Sequence, residues 1–227
     1  MASVAAGLLL TLGLGFWSSQ AVASIVLGST RIIYLSDASV VSVKLTNVGE
    51  RPTLIQTWMD DGDADAIPDY VKVPFILTPP IVKIGGQKSQ VLKLRYIGSG
   101  LPQDRESVFW LNVLEVPLKA EANRLQIVLR IRIKIFYRPV GLTNRPHEAA
   151  QALVWQVVNG GLQVSNPTPY HVSLARFKIN GREMEGEMVA PYATHSFEVP
   201  AQVGDEVVGV FVNDLGILDE FNALLQQ

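Results

Sequence analysis

The feature that most constrains this chain is the alternation from residue 125 to residue 135. Leu125, Ile127, Leu129, Ile131, Ile133 and Ile135 fall on one face of an extended strand. Gln126, Arg130, Arg132 and Lys134 fall on the other. An ordinary strand has about five or six residues, so a sandwich core covers only part of this one. Ile133 and Ile135 suffice for the core at the far end. The Leu125, Ile127, Leu129 face is expected to lie open, available for pairing with another chain. Such a row is an aggregation hazard, and self-association of the free protein would cap it.

The chain has 227 residues, of which 48% are apolar, enough for two domains with real cores. Its 19 basic and 21 acidic side chains leave a net charge of −2. Nucleic acid is therefore not the expected partner, since phosphate binding needs a clear basic excess. With no cysteine there is no disulfide, thiol nucleophile or zinc–thiolate site. Residues 7–17 form an apolar run of signal-peptide length, and Ala21-Val22-Ala23 is a small-x-small cleavage site. The expected mature chain begins at Ser24, although no Lys or Arg precedes the run. An uncleaved anchor, or a start further upstream, is the alternative.

From residue 24 to residue 139 the pattern is strands and turns. Segments 25–34, 40–47, 54–59, 71–77 and 89–97 are β-rich, punctuated by 48–52, Thr78-Pro79-Pro80 and Gly85-Gly86. Thr78-Pro79 and Thr168-Pro169 are candidate cis bonds at turns. A boundary falls after Pro139, where 141–146 carries the Gly, Asn and Pro of a linker. A second β-rich segment, 140–227, follows with strands expected at 153–158, 162–165, 170–179, 195–199 and 206–213. Asn180-Gly181 marks a hairpin. The closing segment, 217–225, fits either a last strand or a short helix, and strand is favoured because a seven-stranded sandwich needs a closing partner. The fold class is all-β, with two sandwich domains.

Few residues suggest chemistry. Asp61, Asp63, Asp65 and Asp69 imitate a calcium loop, but position 6 is Ala66 and position 12 is Lys72. A solvated acidic loop is the better reading. His147, His171 and His195 show no ligand spacing, and no nucleophile motif or phosphate loop appears. No metal site and no catalytic residue is assigned. The row Arg130, Arg132, Lys134 reads either as a solvated face with aggregation-blocking charges or as a binding feature.

Taken in order, several segments resemble the periplasmic pilus-assembly chaperones of the chaperone–usher pathway. They are Leu27-Gly28-Ser29-Thr30-Arg31, Phe75-Ile76-Leu77-Thr78-Pro79-Pro80 and Leu101-Pro102-Gln103-Asp104-Arg105-Glu106-Ser107. Phe109-Trp110-Leu111-Asn112-Val113 and Lys134-Ile135-Phe136-Tyr137-Arg138-Pro139 follow. Asn166-Pro167-Thr168-Pro169-Tyr170 and Asn213-Asp214 complete the set. The short loop at 118–123 resembles the short-loop branch of that family.

The resemblance implies two immunoglobulin-like domains in a boomerang arrangement around a cleft. It implies that Arg31 and Lys134 hold the C-terminal carboxylate of a pilus subunit. Leu125, Ile127, Leu129 and Ile131 match the donor strand that completes the subunit's unfinished fold, and Glu106, Arg138 and Asp214 match an interdomain ionic cluster. The implied partners are pilus subunits and an outer-membrane usher, in the periplasm, with no cofactor, nucleic acid or small-molecule substrate. A secreted adhesive or carbohydrate-binding sandwich is the competing class. Its aromatic platform is not evident, because Trp17, Trp58, Trp110 and Trp155 lie in the leader or in strand patterns.

Overall fold

Period-two alternation makes most of this chain β-strand. The computed structural model describes residues 24–65, 67–68, 71–116, 128–143 and 145–227. The proposed leader, Leu125 and Ile127 lie outside the described residues.

The first nine strands are β1 (Ile25–Leu27), β2 (Arg31–Leu35), β3 (Val41–Asn47), β4 (Thr53–Asp60), β5 (Phe75–Thr78), β6 (Ile81–Ile84), β7 (Ser89–Tyr96), β8 (Ser107–Val116) and β9 (Arg130–Arg138). They form two sheets, β1-β3-β7-β5 and β2-β9-β8-β4-β6. Between the sheets lies one apolar core that includes Leu45, Ile55, Leu92, Leu111 and Ile135, all essentially buried. Tyr34, Phase-matched with Tyr137 across the β2–β9 pair, stacks on it at 6.0 Å between ring centroids.

The second set is β10 (Val154–Val158), β11 (Gly161–Ser165), β12 (Val172–Ile179), β13 (Arg182–Glu185), β14 (Met188–Val189), β15 (Thr194–Phe197), β16 (Glu206–Val212) and β17 (Leu218–Leu224). A sheet β10-β11-β15 faces a sheet β13-β12-β16-β17, with β14 added to β12. Their own core packs Trp155, Phe177, Phe197, Phe211 and Phe221. The two cores share no residue. The closing segment is a strand, β17, paired along its length with β16.

Three differences from the sequence reading have local causes. The strand expected over 71–77 begins only at Phe75, because Pro74 has no N–H to give to a ladder. After Pro79-Pro80 the chain changes sheets: β5 pairs β7, whereas β6, which the sequence reading did not separate, pairs β4. Thr78–Pro79 is the cis bond, and Thr168–Pro169 is trans.

The second core also depends on one small residue. A Cβ on Gly209 of β16 would lie 2.2 Å from the ring of Phe221 on β17. That ring is buried and cannot swing away. Gly209→Ala is expected to cost about 1–3 kcal/mol by overpacking, read as a lower urea midpoint for the second domain. An unchanged midpoint would show that β17 shifts freely.

Candidate functional site

The site is built on the outward face of β9. Its alternate side chains there are Arg130, Arg132, Lys134, Phe136 and Arg138, and their surroundings change along the strand. The Arg130 guanidinium donates to the Ala64 carbonyl at 2.7 Å. Arg132 forms a two-pronged pair with Asp60, at 3.0 and 2.5 Å, and donates to the Gly62 carbonyl at 3.0 Å. Its guanidinium lies 4.7 Å from the Trp110 ring centroid. The loop after β4 therefore engages Arg130 and Arg132, while Arg130 stays exposed. Asp61, Asp63 and Asp65 remain exposed on that loop.

Asp60 is buried to 1% exposure and also accepts from Asn112 Nδ2 at 2.6 Å and from the Gly62 amide at 2.9 Å. Burial pushes its carboxyl up, but the hydrogen bonds from Arg132, Asn112 and Gly62 outweigh it and hold the group below the ordinary 3.8.

Lys134 has a different environment. Arg31, the first residue of β2, pairs with it in parallel register. Burial, then the neighbouring charges of Arg31 and Arg132, hold its ammonium below the ordinary 10.5. No hydrogen bond or carboxylate offsets them among the described residues. Arg31 is itself buried. One of its terminal nitrogens donates to the Val212 carbonyl at 2.7 Å, in the second domain. Its Nε is buried with no partner among the described residues. Burial lowers its pKa, and the more distant Asp214 and Glu106 only partly compensate. Two adjacent cations short of anions suit charge-assisted bonds to an added anion.

At the end of β9, Arg138 bridges the domains. Its Nε donates to Glu106 at 2.6 Å, and its terminal nitrogens grip Asp214 at 2.7 and 2.8 Å. Burial opposes its charge, yet Asp214 and Glu106 more than offset that and raise its pKa. Glu106 has a further partner that the sequence reading missed. Its second oxygen accepts the His171 backbone N–H at 2.8 Å and lies 3.3 Å from His171 Nδ1. Under Arg31 and Arg138, a cleft of about 200 Å³ is lined from both domains.

The structure thus brings Arg31 beside Lys134, and Glu106 and Asp214 onto Arg138. Leu129 is 37% exposed and precedes the β9 ladder, touching it through a hydrogen bond from the Glu115 amide at 3.0 Å. Ile131 is half-buried against the first core, opposite Val113. The remaining candidates of that row, Leu125 and Ile127, lie outside the described residues. The sequence reading did not single out Asp60, which precedes the acidic loop; only the order β9-β8-β4 sets it across from the basic row.

Two sandwiches are thus tied by an ionic cluster, with two adjacent cations beside a strand that is laddered on one side alone among the described residues. The family models agree: the pili and flagellar-assembly chaperone PapD N-terminal domain matches residues 24–143, and the PapD C-terminal domain matches 148–223. The probable fimbrial chaperone YadV of Escherichia coli K12 is 42% identical over 228 residues, covering 92% of this chain and 93% of that protein. The chaperone protein FimB/FhaD of Bordetella pertussis is 40% identical over 216 residues, covering 89% and 88%. The solved complex of Salmonella enterica SafA pilin with the SafB chaperone gives a TM-score of 0.79 at 25% identity, covering 91% of this chain and 99% of that one. The chain belongs to the PapD-like family of pilus-assembly chaperones.

The cluster yields a graded expectation. Arg138→Ala strands Glu106, whose side chain is 1% exposed, and should cost about 3–5 kcal/mol. Asp214 is 41% exposed, so Asp214→Ala should cost about 1 kcal/mol or less. Denaturant titration of both variants checks the order; equal small losses would mean that the cluster does not hold the domains.

Proposed function

We propose that this protein binds pilus subunits in the periplasm by lending them a strand and then delivers them to an outer-membrane usher. One observation carries the reading. β2 pairs with β9 only from Lys134 to Arg138, whereas β8 pairs with β9 from Arg130 to Tyr137. Among the described residues, Arg130 to Ile133 are therefore laddered on one side alone, and the open side ends at Arg31.

A second chain added there has a defined direction. Its end must meet Arg31 and Lys134, and its body must lie along the earlier part of β9. It therefore runs parallel to β9 and end to end with β2. Its terminal carboxylate supplies the negative charge that the two cations lack. Leu125, Ile127, Leu129 and Ile131 are the donor residues in this reading, filling a groove left by the subunit's missing strand. Main-chain pairing supplies the edge bonds, as in chaperone–pilin complementation, which is a standing example of strand addition. Each buried aliphatic side chain contributes on the order of 1.5–3 kcal/mol before ordering costs.

Co-expression with a pilin tests this. Arg31→Ala and Lys134→Ala are expected to leave circular dichroism unchanged while the chaperone–pilin complex disappears. Lys134 has no compensating partner among the described residues, so Lys134→Met should leave the free protein at least as stable as before. Normal pilin recovery from the double variant would sink the proposal.

The pH dependence has a definite sign. A bound carboxylate raises the Lys134 pKa, so binding takes up a proton wherever the free lysine has lost one. Affinity is complete below the free-state pKa and falls as pH rises through it, starting below 10.5. Titration calorimetry at increasing pH should show this fall, and Lys134→Arg should flatten it. A fall of the same size in the arginine variant would assign it to another group.

A further inference from the structure

Register is the unsolved part of strand capture. Alternation rejects a slip of one residue, because every apolar side chain would turn outward. It does not reject a slip of two, which moves the strand about 6.6 Å and restores the apolar face. Only charge can reject that state. Resting on the chaperone reading, we propose that Asp60 fixes the register of the captured strand by occupying Arg132, leaving the terminal carboxylate a single landing place at Lys134 and Arg31.

Arg132 is the residue that a two-residue slip would bring to the carboxylate. It precedes Lys134 by two, shares its face of β9 and is cationic. Its side chain is still 22% exposed, so it is within reach. Its fork, however, is taken. Nε and one terminal nitrogen engage the two Asp60 oxygens, and the Trp110 ring covers the guanidinium. Asp60 is in turn fixed by Asn112 and by the Gly62 amide. A carboxylate arriving at Arg132 would meet a neutralised cation with a fixed negative charge beside it. Arg130 is also engaged, by the Ala64 carbonyl. Lys134 alone of the three has no partner for its charge among the described residues. Asp60 is thus a positioning residue that acts through Arg132 and need not touch the subunit.

The chain has no cysteine, which makes register directly readable. Val128→Cys places one thiol just before β9, at a residue that is 50% exposed. The probes are short alternating apolar–polar peptides with a free terminal carboxylate, each carrying one cysteine at a successive position. Disulfide yield against cysteine position should show one maximum in the otherwise native chain. Asp60→Asn should add a second maximum, two residues nearer the peptide's C-terminus. The second maximum should vanish with a C-terminal carboxamide and in Asp60→Asn/Arg132→Gln. A folded Asp60→Asn protein with the single original maximum overturns the inference.

Lys134→Gln tests the same point with Asp60 in place. Loss of the maximum with no new one is expected, and a new maximum at the shifted position overturns the masking role. A native chain whose cross-linking is indifferent to Lys134→Gln would instead overturn the chaperone reading, and this inference with it.

Discussion

The structure depends on β9 being shared unequally. Its far half is ordinary core, laddered on both sides by β2 and β8, with Ile135 fully buried. Its near half is laddered by β8 alone among the described residues. A strand edge left open in this way is normally a liability. Here the starting point of β2 decides where the covered half ends, and Arg31 occupies that point. The same residue that begins β2 also reaches across to Val212, so the second domain is attached at the boundary between the two halves.

The electrostatics of the outward face follow from that arrangement. Charges drawn from water need partners, and breaking a buried pair costs more than the pair contributes. Arg132 and Arg138 each have a nearly buried carboxylate, Asp60 and Glu106. Arg31 and Lys134, between them, have none at hydrogen-bonding distance among the described residues. Two cations side by side and half-desolvated cost stability in the free protein. That cost lies between two well-compensated pairs, as the proposed receptor for an external anion requires.

Much of the fold was legible because period-two alternation is a direct consequence of strand geometry. The residues around Ile135, Leu92 and Phe211 declare their faces without help. Sheet membership was less legible: β5 and β6 are four-residue strands separated by two prolines, and no local pattern says that they belong to opposite sheets. The basic pair was legible through the family resemblance, on Thr30-Arg31 and Lys134-Ile135-Phe136-Tyr137-Arg138-Pro139. What resisted was pairing across distance. Asp60 is 72 residues from Arg132, and Glu106 is 65 from His171. Nothing in the sequence separates buried Asp60 from exposed Asp61 beside it. Only the β4–β8–β9 order does so, by setting one of them against Asn112 and Arg132.

Affinity and register come from different parts of such a site. Apolar side chains contribute most of the free energy but repeat every second residue, so they bind several registers almost equally well. A single anchored carboxylate contributes less and is sensitive to position. The discrimination it provides is the difference between its landing place and the next cation on the same face. With Arg132 unmasked that difference would be small, since two positive groups would lie one dipeptide apart on a rigid strand. Neutralising the nearer one with a buried partner leaves the attractive site unchanged and makes the competing one poor. On the proposed reading the ion pair is useful for the alternative it removes, which gives the buried Asp60 a role beneath the basic row.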